Sequence, residues 1–285
     1  MWHVSDGLAL TTSFERVHAL SGKAENEATA ATLGLEYTAN PLWKGSTRLE
    51  LRNGFSSDSI LATAAAASKL SQNWTFLGRN TYSLIRNKGQ GTGENEQDRM
   101  QLGLAYRDTE SDKWNALGRV EHRVENDTTQ PGVELKRTVE LISLHANWQP
   151  RRPFTFFARY AAKWTNEQSN DLRTKNNAHL LAGRAIWEFA PRWDVSLNAS
   201  TMLGRSVQSK YYGLGLELGF MAMENLWLSA GYNLFGYSDK DLTAGEYTNK
   251  GTFVRLRYKF DEDLFTPKKN KSEKVSADTV GASEK

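Results

Sequence analysis

The 285-residue sequence contains no cysteine, which excludes disulfide bridges, cysteine-ligated zinc, iron–sulfur clusters and thiol catalysis. It also lacks a long hydrophobic run, because the longest nearly apolar stretch, Ile60–Ala67, is far shorter than the about 20 residues of a membrane helix. The first ten residues, MWHVSDGLAL, show no basic segment followed by an apolar one, so we expect no signal peptide in this sequence. The net charge of +3 does not suggest a nucleic-acid partner.

Aromatic residues are abundant instead. The chain has 9 Trp, 10 Tyr and 12 Phe, although its mean hydropathy is −0.60. This combination is typical of a chain whose alternate residues face opposite environments. In the segment Lys44–Arg52, which reads KGSTRLELR, charged and polar side chains alternate with Gly, Thr and Leu. Alternation at period two predicts a β-strand with one wet face and one apolar face.

Fourteen segments fit this pattern. Each has about 10–12 residues, which is the length of a tilted membrane β-strand and about twice that of an ordinary soluble strand. The segments are 7–18, 28–38, 43–52, 59–70, 74–85, 98–107, 114–125, 137–148, 154–164, 178–189, 193–203, 210–221, 226–237 and 250–260.

The connections between these segments alternate between two kinds. Longer polar loops, such as 86–97, 126–136, 165–177 and 238–249, alternate with short turns that are each followed by a large aromatic residue. Short turns, long loops and an aromatic girdle beside the turns are typical of an outer-membrane barrel, because aromatic rings with a polar end settle at the headgroup boundary. The girdle residues are Trp43, Trp74, Trp114, Phe154, Trp193 and Trp227.

The sequence therefore predicts an all-β fold: a closed antiparallel transmembrane β-barrel of about 14 strands with short periplasmic turns and longer extracellular loops. We expect a lead-in at residues 1–6, the barrel at 7–260 and a disordered periplasmic tail at 261–285. Closure pairs the strand near Leu10 with the strand near Leu256. The alternative is a soluble β-sandwich or lipocalin-like barrel, whose strands also alternate, whereas a propeller is disfavoured because the repeating unit is one hairpin.

The last predicted strand carries a more specific signal. A polar residue and Gly251 precede the alternating apolar residues Val254, Leu256 and Tyr258, and the strand stops at Phe260. This resembles the C-terminal insertion signal of bacterial outer-membrane β-barrel proteins. The stretch 224–265 is similar to the end of barrel domains that close large repeat-containing surface proteins. The resemblance implies a Gram-negative outer-membrane location, with the barrel-assembly machinery and outer-membrane lipid and lipopolysaccharide as partners.

Sorting the charges by strand face predicts a basic lumen. Fifteen cations and seven carboxylates fall on the inward face, so some cations must be solvated, which requires water in the lumen. The carboxylates are Glu36, Glu50, Glu121, Glu125, Glu188, Asp194 and Glu217. The cations are Lys44, Arg48, Arg52, Lys69, Arg79, Arg99, Arg107, Arg119, Arg123, Arg159, Lys163, Arg184, Arg255, Arg257 and Lys259.

Three functions remain open at this point. A conducting, porin-like channel for small and preferentially anionic solutes fits the basic lumen; a non-conducting anchor or display barrel fits an inner lattice of Arg–Glu pairs. An outer-membrane enzyme would depend on His122, the only histidine placed like a lipid-facing catalytic residue, but no Ser or Asp accompanies it at a supporting spacing. Asp239, Asp241 and Glu246 lack the spacing of a calcium loop. We therefore expect no enzyme activity, no cofactor and no metal.

Overall fold

The structure, a computed structural model, describes residues 2–18, 27–89, 92–204, 209–223, 225–237 and 250–258. These residues form fifteen β-strands. They are β1 (Trp2–Ser5), β2 (Leu8–Val17), β3 (Ala28–Tyr37), β4 (Trp43–Gly54), β5 (Ser57–Lys69), β6 (Trp74–Asn87), β7 (Glu94–Arg107), β8 (Trp114–Asp127), β9 (Leu135–Arg151), β10 (Phe154–Ser169), β11 (Leu172–Ala190), β12 (Trp193–Gly204), β13 (Ser209–Met223), β14 (Leu226–Phe235) and β15 (Gly251–Tyr258).

All fifteen strands belong to one sheet in which each strand pairs antiparallel with the next along the chain. The all-β prediction is confirmed. Each of the fourteen predicted segments overlaps one strand from β2 to β15, whereas β1 lies inside the predicted lead-in at residues 1–6. The predicted tail at 261–285 lies outside the described residues. No helix in the described ranges is long and apolar enough to cross a membrane.

Three strands in the middle of the sheet are much longer than the sequence predicts. β9, β10 and β11 have 17, 16 and 19 residues, and their ladder continues to the pair Ser169↔Leu172. The predicted loop 165–177 is therefore mostly strand, which corrects the prediction. The cause is that both faces are polar here, with Asn166 and Lys175 on one face and Glu167 and Thr174 on the other, so alternation ends while backbone pairing continues.

The two edges of the sheet differ from the predicted closure. Leu10 pairs with Trp2 of β1 on one side and with Leu35 of β3 on the other, while Leu256 pairs with Leu228 of β14. Within the described ranges no ladder joins β15 to β1 or β2. Closure through a pairing of Leu10 with Leu256 is therefore not confirmed by the described residues. A short strand that the sequence does not predict, β1, pairs with that edge of β2 instead.

The pairing register assigns every strand residue to one of two faces. Residues that pair directly across strands share a face, so the row Lys44–Ala67–Leu77–Gly103–Arg119 marks one face across β4 to β8. We call this charged side the polar face and the opposite side the apolar face.

The polar face is concave. On it, side chains contact partners two strands away: Arg52 of β4 reaches Glu15 of β2 at 3.5 Å, and the Trp227 indole of β14 reaches Asp194 of β12 at 2.7 Å. Ring contacts on the apolar face, such as Trp74 with Tyr106, join adjacent strands. Side chains converge only on the inside of a curved sheet, so the charged residues face inward.

The apolar face is broadly exposed. Val254, Leu256 and Leu181 have exposed fractions of 82%, 64% and 60%. On β10 the apolar residues run from Phe154 to Trp164, which spans about 33 Å along the strand and about 25 Å of height at a tilt near 40°. An apolar surface of this extent matches the hydrocarbon band of an outer membrane.

Candidate functional site

The first residues of alternate strands form most of the predicted aromatic girdle. Five predicted members begin β4, β6, β8, β10 and β12 and lie on the apolar face. Each has an aromatic neighbour that the sequence reasoning missed, and the signal that could have found them is their place at strand ends entering the short turns. The contacts are Tyr37–Trp43 at 4.4 Å, Trp74–Tyr106 at 4.9 Å, Trp114–Trp148 at 5.2 Å, Phe154–Trp187 at 6.4 Å and Trp193–Phe220 at 4.6 Å between ring centroids.

The sixth predicted girdle residue, Trp227, lies on the polar face. β14 begins one residue earlier, at Leu226, so the indole takes the opposite orientation to the five aromatics that begin their strands. Its Nε1 donates a hydrogen bond to Asp194, and the Arg257 guanidinium lies 5.0 Å from its ring centroid. Trp227 therefore belongs to the charged interior and not to the girdle.

The predicted pore-lining residues share one face. By register, the described members all lie on the polar face, and Lys259 lies outside the described residues. Many of these cations are compensated by carboxylates on the same face. One centre is Glu121, whose side chain is 2% exposed and accepts hydrogen bonds from Arg99 at 2.9 Å and Gln101 at 2.7 Å. Arg123 lies 3.6 Å from Glu125.

A second centre is Glu217, whose side chain is fully buried. Its carboxylate lies 3.1 Å from Arg184 of β11 and 3.5 Å from Arg255 of β15, and the Ser229 hydroxyl donates a hydrogen bond to it. One carboxylate thus draws together two guanidinium groups from strands that are not neighbours. This arrangement fixes the position of positive charge on the wall of the sheet.

These arginines border a cavity of about 310 Å³ on β9 to β15. Its cationic lining residues are Arg159, Arg184, Arg255 and Arg257, and Phe157 supplies one of its apolar walls. We call it the arginine cavity. A concave site with converging guanidinium groups and a few apolar walls has the properties of a binding site for an organic anion.

Sequence reasoning missed several charged residues of the polar face. Arg137 joins Glu125 at 3.4 Å and Glu167 at 2.7 Å, and Glu15 contacts Arg52. The alternation could not identify Arg137, because its face of β9 also carries Val139 and Leu141. The inner charges are therefore balanced more fully than the sequence count suggests.

His122 lies on the apolar face, towards the loop end of β8. Its Nδ1 is 2.5 Å from the Glu140 carboxylate, and Asn80 donates a similar cross-strand hydrogen bond to Asp98 at 2.8 Å. A second polar pair of this kind favours a structural role at the edge of the apolar band over a catalytic one. Within the described ranges no three His, Asp or Glu side chains are grouped to hold a metal ion, and the acidic residues at 239, 241 and 246 lie outside those ranges.

The predicted insertion signal is described in part. Val254, Leu256 and Tyr258 alternate on the apolar face of β15, and Gly251 begins the strand with a φ of 135°. Phe260 lies outside the described residues.

Comparison with known proteins identifies the fold through structure. No family model and no curated protein matches the chain. The siderophore receptor PirA from Pseudomonas aeruginosa is similar with a TM-score of 0.65 at 10% identity, over 81% of this chain and 46% of that one. PirA from Acinetobacter baumannii gives 0.66 at 7%, over 84% and 44%. The ferric enterobactin receptor PfeA from Pseudomonas aeruginosa gives 0.64 at 9%, over 81% and 45%.

The chain spans less than half the length of these receptors. The shared feature is the fold, a large antiparallel sheet of the kind that forms the barrels of outer-membrane receptors in Gram-negative bacteria. The apolar band, the aromatic girdle and this fold all indicate a membrane environment. The predicted location in the bacterial outer membrane is confirmed.

Proposed function

We propose that the chain forms an outer-membrane channel that passes small, preferentially anionic solutes. The observation that carries the proposal is the arginine cavity, where Arg159, Arg184, Arg255 and Arg257 line one concave space. Glu217 contacts Arg184 and Arg255 of these four, so positive charge exceeds negative charge at its wall. Fixed guanidinium groups raise the local concentration of anions in a narrow aqueous space.

The proposal includes closure of the sheet into a barrel. An open edge in lipid leaves backbone N–H and C=O groups without partners, at a cost of several kcal/mol each. β1 pairs with β2 only at Leu8–Leu10 and leaves the rest of that edge, Thr11–Val17, available. β2 and β15 run in opposite directions, so their pairing gives a closed fourteen-stranded antiparallel barrel once β1 moves aside.

The remaining features extend the same proposal. The barrel occupies residues 7–260, and the tail that follows it stays in the periplasm. β15 and Phe260 act as the signal that the barrel-assembly machinery recognises, and lipid and lipopolysaccharide surround the apolar face. The predicted pore-lining residues of the polar face, from Lys44 to Lys259 along the chain, then line the channel wall.

Planar-bilayer recordings test the selectivity. In a KCl gradient we expect a reversal potential that reports anion preference, and we expect it to weaken at 1 M salt, where the Debye length falls to about 3 Å. Arg184→Gln should reduce the preference, whereas Arg86→Gln, which removes an arginine of the apolar face paired with Glu94 at 2.9 Å, should leave it nearly unchanged. A cation-selective channel contradicts the proposal.

A non-conducting anchor is the second candidate, favoured by one observation. An apolar cluster of Leu141, Ala161, Leu180, Met202 and Tyr237 fills part of the polar face towards the loop ends. If this cluster seals the lumen, reconstituted protein shows no conductance. Replacing Met202 by Ala then opens no path in an anchor but raises conductance in a partly plugged channel.

The neighbouring structures suggest one solute class for the same assay. Ferric enterobactin and ferric citrate appear in the names of a receptor and a transporter that share this fold. Anionic iron chelates therefore belong among the solutes offered to the channel, beside chloride.

A further inference from the structure

A second cationic cavity lies on the polar face, on β3 to β8 and towards the short-turn end of the sheet. Its volume is about 400 Å³, and it shares no lining residue with the arginine cavity. Three cations line it: Lys44, Arg79 and Arg119. Glu36 is the only carboxylate among its described lining residues, so the cavity carries an excess of positive charge.

The cations of this cavity differ from most others on the polar face in having few partners. Lys44 and Arg79 make no ion pair or side-chain hydrogen bond within the described residues. Arg119 interacts electrostatically with Glu121, but that carboxylate already accepts hydrogen bonds from Arg99 and a glutamine. The Nε of Arg119 is buried and has no hydrogen-bond partner among the described residues. Buried donors without acceptors are costly, which makes an external anion a favourable partner.

The register shows why these three side chains converge. Lys44 and Arg119 stand in one cross-strand row, and Arg79 stands on β6, two strands from each, or about 10 Å. Between Lys44 and Arg119 their row carries Ala67, Leu77 and Gly103, and the row of Arg79 carries Ala65 on one side and Gln101 on the other. The small residues Ala65, Ala67 and Gly103 leave space between the three long cationic side chains, which extend over the concave surface.

We propose that this cavity binds a phosphate-bearing small molecule. Two guanidinium forks and one ammonium group supply donors from several directions, which matches the three terminal oxygens of a phosphoryl group better than a single halide ion. A volume of about 400 Å³ also leaves room for an organic portion beside the phosphate. The position on the concave face separates the site from the lipid headgroups that surround the apolar face.

Isothermal titration of the full chain in non-ionic detergent at low salt, with inorganic phosphate as the probe, tests the site. We expect saturable binding that chloride at the same ionic strength does not reproduce. Arg79→Gln should weaken it at least about tenfold, because a hydrogen bond between charged partners is lost. Glu36→Gln should strengthen it about twofold by removing a like charge.

Two matched variants separate this site from other effects. Arg86→Gln lies on the same strand as Arg79 but on the opposite face, paired with Glu94 at 2.9 Å, and should bind phosphate like the parent. Arg184→Gln changes the arginine cavity, and a loss of phosphate binding in this variant as large as that in Arg79→Gln would place the phosphate there and overturn the inference. Absence of phosphate binding, or equal affinity in Arg79→Gln and the parent, overturns the inference whatever the conductance. Phosphate binding by a non-conducting protein supports this site and rejects the channel.

Discussion

Glu217 offers the sharpest test of how the charged interior is held together. Its carboxylate is fully buried, lies 3.1 Å from Arg184 and 3.5 Å from Arg255, and accepts a hydrogen bond from Ser229. Glu217→Ala leaves two guanidinium groups and a hydroxyl without this acceptor. Because Arg184 and Arg255 are only 19% and 30% exposed, water replaces the carboxylate poorly.

The expected cost follows from that burial. Removing one partner of a buried ion pair destabilises a protein by about 3–5 kcal/mol, since the remaining charge stays desolvated. Glu217→Gln keeps the shape and an acceptor for Ser229 but loses the charge, so we expect a smaller cost of about 1.5–3 kcal/mol. Both variants should also increase anion preference in the channel, because each removes a negative charge from the arginine cavity.

Denaturant unfolding in detergent, followed by heat-dependent electrophoretic mobility, measures the free energy of unfolding. The matched control is Glu134→Ala, since that glutamate is 57% exposed and pairs with Lys136 at 2.8 Å in water. An exposed pair of this kind contributes about 0–1 kcal/mol. Equal stability of Glu217→Ala and Glu134→Ala refutes the reasoning, because the buried carboxylate would then contribute no more to the free energy of unfolding than an exposed one.

Three further predictions concern packing, membrane insertion and titration. Gly219→Val should displace the Trp227 indole, because a Cβ at that glycine lies 2.5 Å from the ring, and a loss of near-ultraviolet circular dichroism from this indole checks it; an unchanged spectrum contradicts the contact. Leu256→Arg should lower the yield of folded protein in the outer membrane, since a lipid-facing arginine costs about 2–4 kcal/mol near mid-membrane, and equal yields count against a lipid-facing β15. Hydrogen bonds from Ser111 are the main reason that the pKa of Asp108, in a short turn, is lowered. The stabilisation from these hydrogen bonds is therefore fully present above the ordinary carboxyl pKa and is lost only as the pH falls through the lowered pKa. The carboxyl resonance of Asp108 measures that pKa, and titration at an ordinary carboxyl pKa contradicts the prediction.

Alternation predicts most of the strands because it records two different environments. Lys44–Arg52 alternates strictly, and it forms the centre of β4. The rule fails at 165–177, where the long strands carry polar residues on both faces and only the backbone ladder defines them. It also fails at β1, whose four residues are too few to show a period.

The site was predictable as a face but not as a set of contacts. Parity alone assigns Arg184 and Arg255 to one side, yet their common partner Glu217 lies two strands from each, and no local spacing encodes that meeting. Trp227 shows the opposite weakness, because a shift of one residue in the start of β14 reverses its face. Predicting side-chain contacts across a curved sheet therefore requires the strand register, which becomes known only once the fold is determined.

The face of Trp227 has a spectroscopic consequence. The other eight tryptophans lie on the apolar face, so lipids carrying bromine on their acyl chains should quench most of the indole emission while iodide reaches little of it. Trp227 reverses this preference, because it lies beside Arg257, whose charge draws iodide towards the ring. Replacing Trp227 by Phe should remove the iodide-sensitive fraction and leave the lipid-sensitive one. Intrinsic fluorescence thus reports separately on the polar face and the apolar face of a single-layered sheet.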